Sequence, residues 1–540
     1  MTDLEIPRND ERRGHYRFFE ILPGTLSLST VLLLFGLSIF NVTLAAFFVL
    51  LYIFIYLARA IALAIRSLHG YNILRKTKKL DWLTMVQELE EGRIGEADIV
   101  RPNWHKTQLV THGGDKLRIR PSDILQAVII ATYNESREIL EPTIQSLLAS
   151  DYPMKQVILI LAYEERGGPE VERQANDLIE IYKDHFSYVA AVRHPKNIPG
   201  EVIGKGGNVT YAGRFLKGYL ESKRIDPLRV VVTTLDADNR PDKEYLACLA
   251  YTYAICPDPV RAAFQPISMY TNNIWDAPAP MRVLATGNSI YHIVQSMRPH
   301  TMRNFSSHAQ GMASLIQTDF WSVRTIVEDG HQFWRSYFCF DGNYTVYPLH
   351  VPIYQDAVLT DSYRRTLKAQ FIQLRRWTYG ASDIAYVVHQ GFFKKNHVSR
   401  GDLIAKTFRL IEGHVTWAVA PILALIGGFI PGLFHPHSIA ANQLPFIVSR
   451  IQTFALLGSF VMVFLCLKTL PPKPERYKRH RTLFMVLQWA YLPLTTIIYN
   501  SFAAIYSQTR LAFGRYMDKF DVTEKAVVGE SNQANVSHKG

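Results

Sequence analysis

The chain has 540 residues, 48% of them hydrophobic, and a formal net charge of +12. That length is too great for one ordinary domain. The apolar residues concentrate near 24–66 and 410–507, which argues against a simple soluble enzyme and for an integral membrane protein with a large soluble insert. The basic residues hug the flanks of the apolar blocks without aromatic interleaving, so the charge reads as contact with anionic lipid and not as nucleic-acid binding.

Residues 1–23 carry charges of both signs and no small-residue cleavage site, which argues against a removed signal peptide and predicts a cytoplasmic tail. Residues 24–40 and 43–65 are each long and apolar enough for a spanning helix, giving two transmembrane helices within 24–66. Arg66, Arg75, Lys76, Lys78 and Lys79 come directly after. Positive residues beside a span favour the cytoplasmic side, so the insert is expected inside the plasma (inner) membrane, where nucleotide-activated donors are available. Residues 67–122 read as a connecting segment.

From 123 the pattern changes. Short apolar runs at 124–131, 156–161, 188–192 and 229–234 alternate with helix-like stretches at 135–150, 169–185 and 207–222. Such alternation predicts an α/β domain over 123–360 with a Rossmann-like parallel or mixed sheet. Cys248, Cys256, Cys339 and Cys466 have no metal-like spacing and read as packing residues.

Ligands of such sheets bind outside the carboxyl ends of the strands. Tyr133-Asn134-Glu135 ends the first predicted strand and Asp236-Ala237-Asp238 the fourth. Two alternating carboxylates there suit a hard divalent cation beside a diphosphate, or an Asx turn before Asn239-Arg240-Pro241. Asn134 or Ser136 also suits a helix N-cap. Gly204-Lys205-Gly206-Gly207-Asn208 opens the third helix, which suits an anion or a tight turn, but lacks the spacing of a Walker loop. Gln373, Arg376 and Trp377 share one face of a helix-like stretch at i, i+3 and i+4. Arg376 offers a planar fork for a diphosphate and Trp377 a flat surface for a sugar ring. The competing reading is an amphipathic helix on the membrane, with Arg375 and Arg376 facing lipid phosphates; residues 361–405 are taken as interfacial.

The second membrane block, 406–513, holds span candidates at 410–434 and 446–467, with Arg450 able to snorkel. The loop at His435-Pro436-His437 lacks Lys and Arg and is expected outside, whereas Lys473, Arg476, Lys478, Arg479 and Arg481 place the next loop inside. For 483–513 the expectation is a hairpin interrupted near Pro493 that returns Arg510, Arg515 and Lys519 to the cytoplasm. Glu412, His414 and Trp417, and later Gln488, Trp489, Tyr491, Tyr499 and Asn500, could line a polymer channel or simply be interfacial. Residues 514–540 read as a polar tail.

Tyr133-Asn134-Glu135, Asp236-Ala237-Asp238, Glu328-Asp329 and Gln373-Leu374-Arg375-Arg376-Trp377, in that order between two membrane blocks, resemble the processive membrane-embedded family 2 glycosyltransferases: cellulose, hyaluronan and chitin synthases and their relatives. The resemblance runs to about residue 525. It implies a GT-A-type domain and an inverting, metal-dependent hexosyltransferase. The donor would be a nucleotide-diphosphate sugar, with UDP expected, and the acceptor a growing polysaccharide, with export and an accessory export subunit in view. It implies Mg2+ or Mn2+ on Asp236 and Asp238. It makes Asp329, beside Glu328, the catalytic base; Gly342, Val346 and Pro348 resemble the segment that succeeds this base in the family. Asp356, with Asp361 behind, is the rival base. Tyr133, Glu135, Lys205, Asp236, Gln373, Arg376 and Trp377 would form the donor pocket. Where relatives carry an Asp after the second strand this chain has Glu164 and Glu165, and Glu164 is the expected substitute. The segment 521–525 resembles one near the active site of relatives. Two rivals stand beside this reading: a single transfer to a lipid acceptor such as a sphingolipid, sterol or polyprenyl phosphate, and a non-catalytic subunit or transporter that keeps the fold.

Overall fold

The computed structural model describes residues 4–478 and 480–518; Arg479, Lys519 and the 521–525 segment lie outside the described residues. α1 (Gly14–Phe40) and α2 (Val42–Thr77) are separated by Asn41 alone. The Asn41 side chain accepts from the Leu44 N–H and so starts α2. Of the expected tail, residues 14–23 are the start of helix α1, and the segment before it lies against the α/β domain. Ile6 is buried with Trp334, Tyr337 and Tyr386. Glu5 pairs with the buried Arg335 at 3.0 Å, and Arg324 donates to the Ile6 carbonyl at 2.9 Å. These partners are more than 300 residues away in sequence, so local composition could not disclose them.

After α2, α3 (Trp82–Glu91) and α4 (Asn103–His112) are tied together through buried Glu88, which bonds Arg101, the Gly95 N–H at 2.8 Å and His105 at 2.9 Å. Then comes the sheet. β1 (Leu125–Thr132), β2 (Val157–Glu164), β3 (Tyr188–His194) and β4 (Val230–Asp236) pair in parallel in the order β3-β2-β1-β4. Their connections include α5 (Arg137–Leu148), α6 (Pro169–Tyr182) and α7 (Lys205–Ser222). Ala131 stands opposite both Ala162 and Asp236, so the three central strands end level. Alternate residues serve opposite cores, as a sheet covered on both faces requires: Val128, Ile130 and Leu159 on one side, Ala127, Ile129 and Ile158 on the other.

The rest of the sheet is mixed. β5 (Arg240–Pro241), α8 (Tyr245–Ala254), β6 (Ala262–Met269), α9 (Ala279–Ser296), β7 (Ala309–Gly311), α10 (Met312–Gln317), α11 (Glu328–Cys339) and β8 (Thr345–Tyr354) come next in the chain. The full order is β3-β2-β1-β4-β7-β6-β8-β5, with β7 antiparallel to β4 and β6, and β5 antiparallel to β8. α12 (Tyr363–Thr378) and α13 (Asp383–Val388) lead to α14 (Arg400–Ile426), α15 (Ile430–Phe434) and α16 (Ile439–Thr469).

Among the described residues, five helical stretches are long and apolar enough to cross a membrane: α1, α2, α14, α16 and Arg481–Ala512. The first four form a bundle. His435 between α15 and α16 bonds the Ile39 carbonyl near the end of α1, so both helical turns meet at the pole away from the sheet. The fifth stretch corrects the expected hairpin. It runs through Pro493 without reversing, because short 3₁₀ and π segments absorb the proline. Both its ends nevertheless meet the soluble domain. Arg481 donates to the Trp275 carbonyl at 2.8 Å. Just past the other end the Met517 N–H meets the Tyr379 hydroxyl at 3.2 Å, and the Ile203 N–H meets the Asp518 carbonyl at 3.3 Å. The stretch therefore underlies the domain, and Arg510 and Arg515 return to the domain side without a turn.

Removing one member of a largely buried ion pair leaves an uncompensated charge and costs about 3 kcal/mol or more. Glu5→Ala is therefore expected to lower the melting temperature of the detergent-solubilised protein clearly. Glu11→Ala, in the same segment but exposed, changes it little; equal melting of the Glu5 variant and the parent would refute the docking of residues 4–13.

Candidate active site

The carboxyl ends of β1, β2 and β4 open on one cavity of about 1170 Å³. At its floor the Lys205 ammonium, from the first turn of α7, sits among three carboxylates. It is 2.8 Å from Asp236 Oδ1, 3.3 Å from Asp329 Oδ2 and 3.9 Å from Glu328 Oε1. Burial works against its charge, but Asp236, Asp329 and Glu328 hold the ammonium protonated well above the ordinary lysine range. Glu328 is itself buried. That burial first, and the charge of Asp329 second, push its carboxyl well above the ordinary glutamate range, with Lys205 pulling it back.

Local sequence explains the approach. Asn208 donates to the Ala162 carbonyl at 2.8 Å and the Thr132 carbonyl at 3.4 Å, stitching the start of α7 to the ends of β1 and β2. A Cβ on Gly206 would stand 2.3 Å from the Ser322 carbonyl oxygen and 3.2 Å from Glu328 Cβ. A Cβ on Gly207 would stand 2.7 Å from Glu201 Oε2. These glycines make no sharp turn; Gly206 permits α7 to close on the segment running from Ser322 to Glu328, and Gly207 leaves room for Glu201 and His194. Asp329 lies in the first turn of α11, where the helix dipole favours a negative charge.

Asp236 Oδ2 accepts from Ser306 at 2.7 Å. Asp238 is buried, and its Oδ2 accepts from the Asp356 N–H at 3.1 Å. Both carboxylates line the cavity. In kind this donor set fits a hard divalent cation, which is satisfied by one or two protein carboxylates completed by phosphate and water. Among the described residues no group of three or more His, Cys, Asp and Glu could cage a metal alone.

The other walls contain most of the remaining candidates. Tyr133 and Glu135 line the cavity. The Glu135 carboxylate is also used locally: it accepts from the Thr132 hydroxyl at 2.9 Å and the Tyr133 N–H at 2.8 Å, closing the turn after β1. Ser136 occupies the N-cap position of α5 without a side-chain capping bond. Glu164 lines the cavity at the end of β2, whereas Glu165 accepts from the Lys196 N–H at 2.9 Å outside it. On α12, Gln373, Arg376 and Trp377 line the cavity together. Arg375 points elsewhere, over the ring of Tyr506 at 5.3 Å. Asp356 also lines the cavity; Asp361 pairs with Arg365 at 2.7 Å on the surface.

Sequence reasoning missed three residues. His308 Nδ1 lies 3.7 Å from Asp329 Oδ1. Trp321 donates to its Nε2 at 3.2 Å and the Phe305 carbonyl accepts from Nδ1 at 3.0 Å, so the ring is neutral with the proton on Nδ1. Burial pushes its pKa down. Ser306 holds Asp236, and Tyr270 stands beside Trp377 with ring centroids 6.1 Å apart. Burial first, then Asp236, Asp238 and Asp329, raise the Tyr270 hydroxyl. Nothing at 270 or 306–308 forms a pattern in sequence; short β7 places His308 beside β4.

The cavity continues among the long apolar helices. Glu412, His414, Trp417 and Asn500 line it, but Gln488, Trp489, Tyr491 and Tyr499 do not. The expected channel lining is thus divided: α14 supplies all of its three candidates and the last helical stretch only Asn500.

No protein-family model matches the chain, and no curated protein does. Among solved structures the chain is similar to the mannosyltransferase PcManGT from Pyrobaculum calidifontis, solved in complex with GDP-Man and Mn2+. The identity is 14%, the match covers 75% of this chain and 99% of that one, and the TM-score is 0.41. It is also similar to residues 1–349 of S. aureus TarS, with 11% identity, 73% and 93% coverage and a TM-score of 0.35. At these values the overall shapes agree only in part, and the functional reading rests on the site.

His194 bonds Glu164 at 3.1 Å and Glu201 at 3.0 Å. Burial would lower its pKa, but the two carboxylates raise it from 6.5 to about 9. A raised folded pKa contributes stability that is complete below about 6.5 and lost as pH rises through 9. That loss is on the order of 3 kcal/mol. The melting temperature is expected to fall across this window, and His194→Asn to flatten the fall; an unchanged slope in the variant would exclude the assignment.

Proposed function

We propose that this protein is an inverting glycosyltransferase of the family 2, GT-A type. It would move a sugar from a nucleotide-diphosphate sugar, UDP being the base implied by the resemblance, to a hydroxyl of a glycan reaching the cavity from the membrane side. The observation that carries this reading is the convergence of Asp236, Asp238, Lys205, Asp329, Arg376 and Trp377 on one cavity. All six come from segments that match the family's motifs or its Gly-Lys element.

In the proposed reaction the acceptor hydroxyl attacks the anomeric carbon as the carbon–oxygen bond to the diphosphate breaks. The bonding pair leaves with the nucleoside diphosphate, and the acceptor proton passes to an Asp329 carboxylate oxygen. A divalent cation on Asp236 and Asp238 would offset the charge gathering on the leaving diphosphate. Lys205 and Arg376 supply fixed positive charge on the same cavity. Trp377 and Tyr270 offer an aromatic wall for a sugar ring. Asp356 lines the same cavity and is the rival base; Asp329 is preferred because it matches the family's catalytic carboxylate.

Two measurements test the proposal. Membranes containing the full chain, given a panel of UDP- and GDP-sugars with Mg2+ or Mn2+, are expected to release nucleoside diphosphate and form a glycan whose length reports processive or single transfer. No release from any donor would favour a non-catalytic transporter or subunit. Asp329→Asn is expected to lower turnover by about 10²- to 10⁴-fold, the usual contribution of a general base, while nucleotide binding measured calorimetrically survives. Equal loss of binding would assign Asp329 another role.

A further inference from the structure

The membrane-side wall of the cavity is lined by arginines. Arg59 comes from α2, Arg298 and Arg303 from the segment after α9, and Arg409 from α14. Arg59 pairs with Glu412 at 2.6 Å. Among the described residues, Arg298, Arg303 and Arg409 have no carboxylate within ion-pair distance. Arg303 lies over the Trp334 ring at 4.7 Å. The carboxylate acting on it is Asp383, already bonded to His331 at 2.8 Å. The Arg298 guanidinium is pushed below its ordinary value, first by burial and then by the positive charges of Arg66, Arg409 and Arg59. Like charges gathered at the edge of a low-dielectric cavity are costly unless an anion joins them.

The surroundings identify the anion's source. On the same two helices as Arg59 and Arg409, α2 exposes Ile61 and Ile65 and α14 exposes Ile404 and Phe408. They are 50%, 63%, 57% and 70% exposed and lie outside the cavity lining. Both helices are long and apolar enough to cross a membrane. An arginine group flanked by apolar helix surface suits a molecule with a phosphate at one end and a hydrocarbon tail at the other. A free phosphate or a soluble sugar acid would gain nothing from that flank. The cavity, at about 1170 Å³, also exceeds the roughly 300–1,000 Å³ of ordinary single-ligand pockets. It therefore has room for a second substrate beside a nucleotide sugar.

We propose that Arg298, Arg303 and Arg409, with Arg59, bind the phosphate headgroup of a membrane lipid entering between α2 and α14, and that this lipid carries the acceptor glycan toward Asp329. The inference rests on the reading of the cavity as a sugar-transfer site and names its acceptor class.

The test uses the full-length protein in phosphatidylcholine nanodiscs doped with a polyprenyl phosphate or with the matching polyprenol that lacks phosphate. Bound probe is counted by native mass spectrometry. Saturable retention of the polyprenyl phosphate, at least ten-fold above the polyprenol, is expected. The double variant Arg298→Ala, Arg409→Ala is expected to lose that preference, whereas Arg298→Lys, Arg409→Lys, which keeps the charge, retains part of it if the alanine variant proves unstable. Millimolar inorganic phosphate should not displace the lipid. Equal retention of polyprenol, unchanged binding by the alanine variant, or full displacement by inorganic phosphate would each overturn the proposal. Nucleoside diphosphate release is measured on the same samples. Release without phosphate-dependent retention removes the lipid site and leaves the transferase reading. Retention without release from any donor does the reverse.

Discussion

One buried ammonium organises this molecule's chemistry. Lys205 lies within 3.3 Å of Asp236 and Asp329, which come from strand β4 and helix α11. Brought together without it, their charges and that of Glu328 would repel strongly in a partly enclosed cavity. Lys205 offsets them, and Glu328 is held toward its neutral form by burial. The geometry that permits this is exacting. α7 approaches the Ser322–Glu328 segment closely because position 206 carries no side chain, and Asn208 pins its first turn to two strand ends. The acidic centre is therefore a property of how α7 docks on the sheet and on the segment before α11.

The sheet explains why the centre is where it is. The chain order reverses about β1, with β2 and β3 on one side and β4 on the other. Such reversals leave a crevice at the carboxyl ends of the strands, and here the ends of β1 and β4 are level. The mixed half of the sheet then closes the crevice from the far side. The segment before β7 delivers Ser306 to Asp236 and His308 to Asp329. The segment after β8 delivers the Asp356 N–H to Asp238. Helix α12 supplies a wall, and the long apolar helices α2 and α14 extend the cavity further. One continuous space thus joins a polar, acidic floor to a basic rim.

Much of this is legible in the residue order. The β-branched runs that form β1, β2 and β4 are buried on both faces, and uninterrupted apolar sequence is the mark of such strands. The i, i+3, i+4 spacing groups Gln373, Arg376 and Trp377 and leaves Arg375 on another face, since helical periodicity needs no tertiary information. The features that escape such reading depend on distant partners. β5 and β7 have two and three residues, too short for any periodic signal. The packing of residues 4–13 is decided by Arg335 and the Trp334 cluster. The path of 481–512 is decided by contacts at both ends with the domain, and hydropathy alone cannot separate a span from a long apolar helix lying under a domain.

The amino-acid sequence by itself determined which segments are apolar enough for membrane or sheet, and which side chains with catalytic chemistry stand at strand ends, because periodicity and composition act locally. Only the tertiary structure decided that Lys205 sits among the acids, that His308 joins Asp329, and that arginines from three separate segments face the same cavity. Those outcomes depend on through-space distances of a few ångströms between residues up to hundreds of positions apart. Charge and burial act over such distances, and sequence order does not record them.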